Sequence, residues 1–175
     1  MKKAKNLSIV LLFLVIACQG QEGTDRGYIV KAGDQAPDFV MELTDGKEVK
    51  LSDLKGKVVM LQFTASWCGV CRREMPFIEK EIWQELKNRD DFALLAIDRD
   101  EPRETVIAYT QKVGISYPIG LDPGADIFAL YAHREAGITR NVIINREGEI
   151  IFLTRLFERE EFDHMKEVIF REVGF

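Results

Sequence analysis

Residues that hold metals or staple small folds are scarce in this chain: 175 residues include three cysteines and two histidines. A structural zinc site takes four nitrogen or sulfur ligands. Cys68 and Cys71 form one C-x-x-C pair, there is no second, and only His133 and His164 could add nitrogen. No metal is expected, and no other cofactor. No basic patch or aromatic-interleaved basic run occurs, which argues against nucleic acid as a partner. No repeat or low-complexity stretch interrupts the sequence. Of five prolines, none follows Pro123, so the C-terminal third has no proline for a turn or a cis bond.

What is present fits one globular domain behind a leader. Hydrophobic residues make up 46% and charged residues 30%, ordinary values for a folded domain. The net charge is −5. Removing Lys2, Lys3 and Lys5, which no acidic residue accompanies before Glu22, takes it to −8. Those lysines precede an apolar run, Leu7 to Ile16, too short to span a bilayer comfortably and suited to a signal-peptide core. The expected organisation is a signal peptide over 1–17, a polar tether over 18–30 and a folded domain over 31–175.

Taken in order, Val40–Leu43 and Glu48–Leu51 flank Thr44-Asp45-Gly46-Lys47, an Asp-Gly hairpin signal. Ser52 to Lys57 reads as a short turn ending at Gly56. Val58 to Thr64 has too few polar residues for a half-exposed strand, which predicts a central one covered on both faces. Trp67-Cys68-Gly69-Val70-Cys71 follows, and then a helical stripe at Met75, Ile78, Ile82 and Leu86. Pro76 lies inside that stripe and is expected to kink it. Two cysteines at a strand-to-helix turn sit where N–H groups and the helix dipole favour a thiolate.

Phe92 to Ile97 is a second buried strand. A helix with Pro102 near its first position and Gly114 at its end comes next. Tyr117 to Asp122 is extended, Asp126 to Arg134 is read as helical, and Asn141–Asn145 with Ile150–Thr154 make an antiparallel hairpin. Glu160 to Glu172 closes the chain as a helix. The class is α/β: a mixed central sheet flanked by helices, with an N-terminal β-hairpin and a central insertion.

Several marks carry a resemblance. Trp67 to Cys71 follows an apolar strand, Pro76 comes five residues after Cys71, and Gly33-Asp34-Gln35-Ala36-Pro37-Asp38-Phe39 opens the domain. With the hairpin Val142 to Gly148, the chain resembles the TlpA/ResA-like family of bacterial thiol–disulfide oxidoreductases, in the thioredoxin superfamily, over about residues 31–172. Val15-Ile16-Ala17-Cys18 likewise resembles a bacterial lipobox, which implies cleavage before Cys18 and lipidation of its sulfur. The rival reading there is an ordinary secretory signal.

The resemblance implies a thioredoxin-like fold. It implies that Cys68, exposed at the helix start, is the nucleophile and Cys71, more buried, the resolving cysteine. Trp67 would pack beside the pair, unless it is only a core or rim aromatic. Glu74 matches an acid–base glutamate of some family members, against the alternative of a solvated carboxylate beside Arg72 and Arg73. Two positions depart from the pattern. Gln62 stands where thioredoxins have a buried acid, and Thr139 stands at the cis-proline position. A cis bond before a non-proline costs about 3 kcal/mol, so a trans or strained bond before Thr139 is expected, with its hydroxyl near the sulfurs.

The implied function is dithiol/disulfide exchange, chiefly reducing disulfides of exported proteins, with electrons from a membrane donor. The implied location is the cell envelope, lipid-anchored and facing the periplasm or the cell exterior. Two rivals remain. A peroxiredoxin-like peroxidase shares the Gly33–Phe39 opening but would need P-x-x-x-T-x-x-C, and Thr64 lies four residues before Cys68 rather than three. A non-catalytic lipoprotein adaptor has no need of two intact thiols in an oxidising compartment.

Overall fold

The computed structural model describes residues 26–175; the leader, Cys18 and most of the tether lie outside that range. Seven strands form one sheet in the order β2-β1-β5-β4-β3-β6-β7. Strands β1 (Val40–Leu43) and β2 (Glu48–Lys50) make the antiparallel hairpin expected from Asp45-Gly46. Gly46 adopts φ 87° in its turn, and the Asp45 carboxylate accepts the Lys47 N–H. A 3-10 turn over Leu51–Leu54 leads to β3 (Val58–Thr64), all seven residues of which are buried.

Strand β3 lies between β4 (Phe92–Arg99), parallel to it, and β6 (Arg140–Ile144), antiparallel. The connection to β4 is helical throughout: α1 (Gly69–Ile78), a wide π turn over Glu79–Trp83 and α2 (Gln84–Leu86). Pro76 lies inside α1 and cannot donate to the preceding turn, yet α1 continues through it to Ile78, and the helix widens into the π turn three residues beyond. The stripe Met75, Ile78, Ile82 and Leu86 is fully buried.

The insertion comprises α3 (Arg103–Val113), β5 (Ile119–Asp122), a turn over Pro123–Ala125 and α4 (Phe128–Tyr131). Gly114 closes α3 at φ 78°, a left-handed cap that glycine adopts without strain. Strand β5 runs parallel to β4 and antiparallel to β1, so the insertion stitches the N-terminal hairpin to the main sheet. A side chain at Gly120 would strike Met41, which explains the glycine at this crossing.

The helix expected over 126–134 is cut to one turn. Ala132 leaves in extended conformation to pair with Tyr28, and His133 N–H binds the Gly27 carbonyl. β7 (Ile150–Arg155) and α5 (Arg159–Val173) complete the fold.

Alternation along β3 sorts the two faces of the sheet. Phe63 packs on Phe128 and Tyr131, an apolar face. Gln62 and Thr64 point the other way, under the helices. There Met75 of α1 meets Tyr109 of α3, and Phe77 of α1 meets Phe162 of α5. This is a thioredoxin-like fold, as expected from the order of elements.

Candidate active site

Cys68 occupies the N-cap of α1, where serine or aspartate usually sits. Its Sγ accepts the Cys71 N–H at 3.2 Å, so the sulfur acts as the capping group. The Thr139 hydroxyl lies between the two sulfurs, 3.1 Å from Cys68 Sγ and 3.2 Å from Cys71 Sγ. The Cys71 thiol, the Thr139 hydroxyl and the N–H groups of Cys71 and Val70 all stabilise negative charge on Cys68. Together they outweigh burial and hold its thiol down to about 5. Burial drives Cys71 the opposite way, far above the ordinary thiol range, and the charge on Cys68 adds to the effect. One sulfur is set up as a thiolate and the other as a proton-bearing thiol.

One expectation needs correction here. Cys68 is only 8% exposed and Cys71 is fully buried. The order is as anticipated, but Cys68 does not stand open at the helix start, because capping turns its sulfur inward toward Cys71 N and Thr139. Trp67 is the group that stands open, 61% exposed; it forms a rim beside the pair rather than packing into it.

Thr139 precedes β6, and every peptide bond among the described residues is trans. Its carbonyl accepts the Leu156 N–H at 3.2 Å. The next residue, Arg140, is fully buried, its guanidinium bonded to the carbonyls of Gly137 and Arg26 and lying over the Tyr28 ring. Those contacts fix the loop that presents Thr139.

Beneath the helix lies a buried polar layer. Glu74 is 1% exposed, which replaces the alternative of a solvated carboxylate. Asn141 pairs with Gln62 across β3 and β6, so both side chains face the same side. Asn141 Nδ2 donates to Glu74 Oε1 at 2.7 Å and to Thr154 Oγ1 at 2.8 Å. Gln62 Oε1 accepts the Tyr117 hydroxyl at 2.8 Å. Burial pushes the Glu74 carboxyl up to about 7; Asn141 and Gln62 restrain the rise, and the charge at Cys68 adds to it. Glu74 follows Cys71 by three residues, one helical turn on the same face.

On the other side of β3, Thr64 pairs with Asp98 of β4. The Thr64 hydroxyl meets Tyr109 at 2.9 Å and is among the groups that restrain Cys71. The loop before Cys68 is gripped by Glu101: Ser66 N–H donates to Oε2 at 2.5 Å and Ser66 Oγ to Oε1 at 2.6 Å.

The fold thus brings Cys68, Cys71, Glu74, Thr139 and Trp67 to one end of β3 and leaves Cys18 outside the described residues. Sequence reasoning missed Asn141, Thr154, Asp98 and Glu101. A polar residue at the edge of an apolar run was the available signal for Asn141 before Val142-Ile143-Ile144 and for Asp98 after Ala96-Ile97. Nothing in the sequence joins Ser66 to Glu101, 35 positions apart.

Comparison with known proteins gives the same answer from outside. The family model described as Redoxin matches residues 31–169. The thiol-disulfide oxidoreductase ResA of Halalkalibacterium halodurans is 36% identical over 123 residues, 70% of this chain and 68% of that protein. A solution structure from Bacteroides thetaiotaomicron, provisionally described as a protein disulfide isomerase, is 63% identical. It superposes with a TM-score of 0.83 over 85% of this chain and 94% of its own. A crystal structure from Chlorobium tepidum, provisionally described as the thiol:disulfide interchange protein DsbE, is 28% identical. Its TM-score is 0.73 over 83% of this chain and 99% of its own.

Proposed function

This chain belongs to the redoxin family and is a thiol–disulfide oxidoreductase, and from that premise we propose that it is a membrane-tethered reductase of disulfides in exported proteins. The observation that carries the reading is the asymmetry of the cysteine pair: a thiolate held by three kinds of donor at Cys68, and a buried thiol at Cys71.

The chemistry follows from that asymmetry. Cys68 Sγ attacks one sulfur of a client disulfide; a mixed disulfide forms and the other client sulfur leaves as a thiolate. Cys71 then gives up its proton and attacks Cys68 Sγ, which releases the second client thiolate and leaves the Cys68–Cys71 disulfide. The client gains two electrons and leaves as two thiolates, which take their protons from water, while the enzyme loses two electrons and the Cys71 proton. Thr139 steadies whichever sulfur carries charge. Glu74, one turn beyond Cys71 with its carboxyl poised near neutrality, takes the resolving proton. That role would otherwise fall to the position held by Gln62, whose amide cannot titrate.

Return to the dithiol needs two electrons from a membrane-bound dithiol donor, because exported thiols are otherwise oxidised. The leader over 1–17, lipidation at Cys18 and a tether over 18–30 place the domain over 31–175 at the cell envelope, facing the periplasm or the exterior. The lysine-flanked apolar run and the Val15–Cys18 motif support that placement.

The test is a trap combined with a potential. Full-length Cys71→Ser protein, mixed with a disulfide-bonded client, is expected to accumulate a mixed disulfide at Cys68. Wild-type protein equilibrated in glutathione buffers is expected to poise nearer thioredoxin, about −270 mV, than DsbA, about −120 mV. No trapped species would overturn the mechanism; a potential near −120 mV would overturn the reducing direction.

A further inference from the structure

Asp98 is a fully buried carboxyl with no donor. Neither of its oxygens has a hydrogen-bond partner among the described residues, and the group is 0% exposed. A buried, unpaired carboxylate is costly enough that such a group ordinarily keeps its proton. Once protonated it is itself a donor and needs an acceptor. The polar groups facing it are the Glu101 carboxylate from the β4–α3 loop, Asp122 at the end of β5 and Tyr109 of α3. Asp122, whose oxygens accept the N–H groups of Ile127 and Phe128 at 2.8 Å each, acts on Asp98 through its charge alone, whereas Glu101 also lies within reach of a shared hydrogen bond; the Tyr109 hydroxyl is taken by Thr64 and Met75.

Glu101 is the acceptor that remains. Each of its oxygens already holds one bond from Ser66, and each carboxylate oxygen can accept a second. The backbone is shaped for this meeting: Asp100, in the left-handed region at φ 61°, turns the chain between Asp98 and Glu101.

We propose that Asp98 and Glu101 share one proton, and that this carboxyl pair positions the Ala65-Ser66-Trp67 loop and thereby the coverage of Cys68. The inference rests on Cys68 being the attacking sulfur. With the proton in place, Asp98 anchors Glu101, Glu101 holds Ser66 by two short bonds, and Cys68 N–H caps the Ala65 carbonyl at 3.0 Å. When the proton leaves, two carboxylates in contact repel, Glu101 withdraws and the loop loosens over a sulfur now only 8% exposed. Burial, with Glu101 and Asp122 adding, pushes the Asp98 carboxyl up to about 8, which puts this release just above neutrality. Asp98 and Glu101 touch neither sulfur; they are positioning residues.

The experiment follows alkylation of reduced, full-length protein across pH, with Cys68 identified by mass. Wild type is expected to show two limbs: one for thiolate formation at Cys68, and a second rise of roughly tenfold above neutrality, the shift that losing one charge-assisted hydrogen bond allows. Asp98→Asn, a permanent neutral donor, is expected to keep the first limb and lose the second. A second limb that survives in Asp98→Asn, or a wild type without one, overturns the proposal. A carbon-13 titration of the Asp98 carboxyl in full-length Cys68→Ser protein separates this inference from the reading of Cys68. A midpoint above neutrality that falls in the Glu101→Gln background supports the shared proton. A midpoint in the ordinary carboxylate range contradicts it, whatever Cys68 does.

Discussion

Two buried carboxyl groups flank the strand that delivers the cysteines, and they are built differently. On the β6 side, Glu74 has a designated donor, Asn141, which is itself anchored on Thr154. On the β4 side, Asp98 has no donor among the described residues and faces the Glu101 carboxylate. Burial raises both, but Asn141 and Gln62 hold Glu74 to about 7, whereas the neighbouring carboxylates add to the rise of Asp98, to about 8. The difference teaches that a buried acid's use depends on its partner. A carboxyl tied to an amide can exchange its proton near neutrality beside the thiols, and one tied to a carboxylate keeps its proton and serves as a clamp.

The comparison is broken most forcefully by stability measured against pH. Both groups have folded values above their ordinary ones, so each contributes stability that is complete below the carboxylate range and is lost as pH rises through its folded value. The upper limits are roughly 6 kcal/mol for Asp98 and roughly 3 kcal/mol for Glu74. Denaturant unfolding at pH 5 and pH 9 is expected to show wild type losing stability with pH, Asp98→Asn removing the larger part of that loss and Glu74→Gln the smaller. A flat wild-type profile would remove the basis for both sites.

Next in size is the rate of resolution. Glu74→Gln is expected to slow release of client from the Cys68 mixed disulfide by roughly 100-fold and to erase its pH dependence near 7. Asp98→Asn, measured the same way at pH 7, is expected to leave that rate close to wild type. Equal losses in the two variants would collapse the distinction between them.

Smaller still is the effect of the hydroxyl that both sulfurs share. Thr139→Val removes one charge-assisted bond to Cys68, so the alkylation midpoint is expected to rise by about one pH unit. Asn141→Ala takes the donor from Glu74 and is expected to move the resolution profile upward, also by about one unit, leaving the Cys68 midpoint in place. A shift of the Cys68 midpoint by Asn141→Ala would mean that the β6-side layer acts on the wrong sulfur.

Most of the fold was legible because its signals are local. A seven-residue run in which only Gln62 and Thr64 are polar announces β3, Asp45-Gly46 announces the first hairpin, and Gly114 ends α3 where its conformation requires it. The helix over 126–134 was overstated because its continuation depended on Tyr28, a residue 104 positions before Ala132 that captures it in extended form. At the site, the Cys68–Cys71 pair and Thr139 stood out by spacing. The inward turn of Cys68 did not, since it comes from a capping bond and from a loop 71 residues downstream. Asn141 and Asp98 were visible only as polar residues bordering apolar strands, and their partners come from α1 and from the turn at Asp100, which no periodicity connects.

The central claim is that Cys68 is a stabilised thiolate and Cys71 a protected thiol. The direct measurement is the pH dependence of alkylation of each cysteine in the reduced, full-length protein, resolved by mass. The account predicts that the first limb of Cys68 reactivity, thiolate formation, has its midpoint near 5, far below the 8.5 or so of a free cysteine, while Cys71 stays unlabelled through pH 9. A Cys68 midpoint at or above that of a free cysteine, or comparable labelling of the two residues, would contradict it.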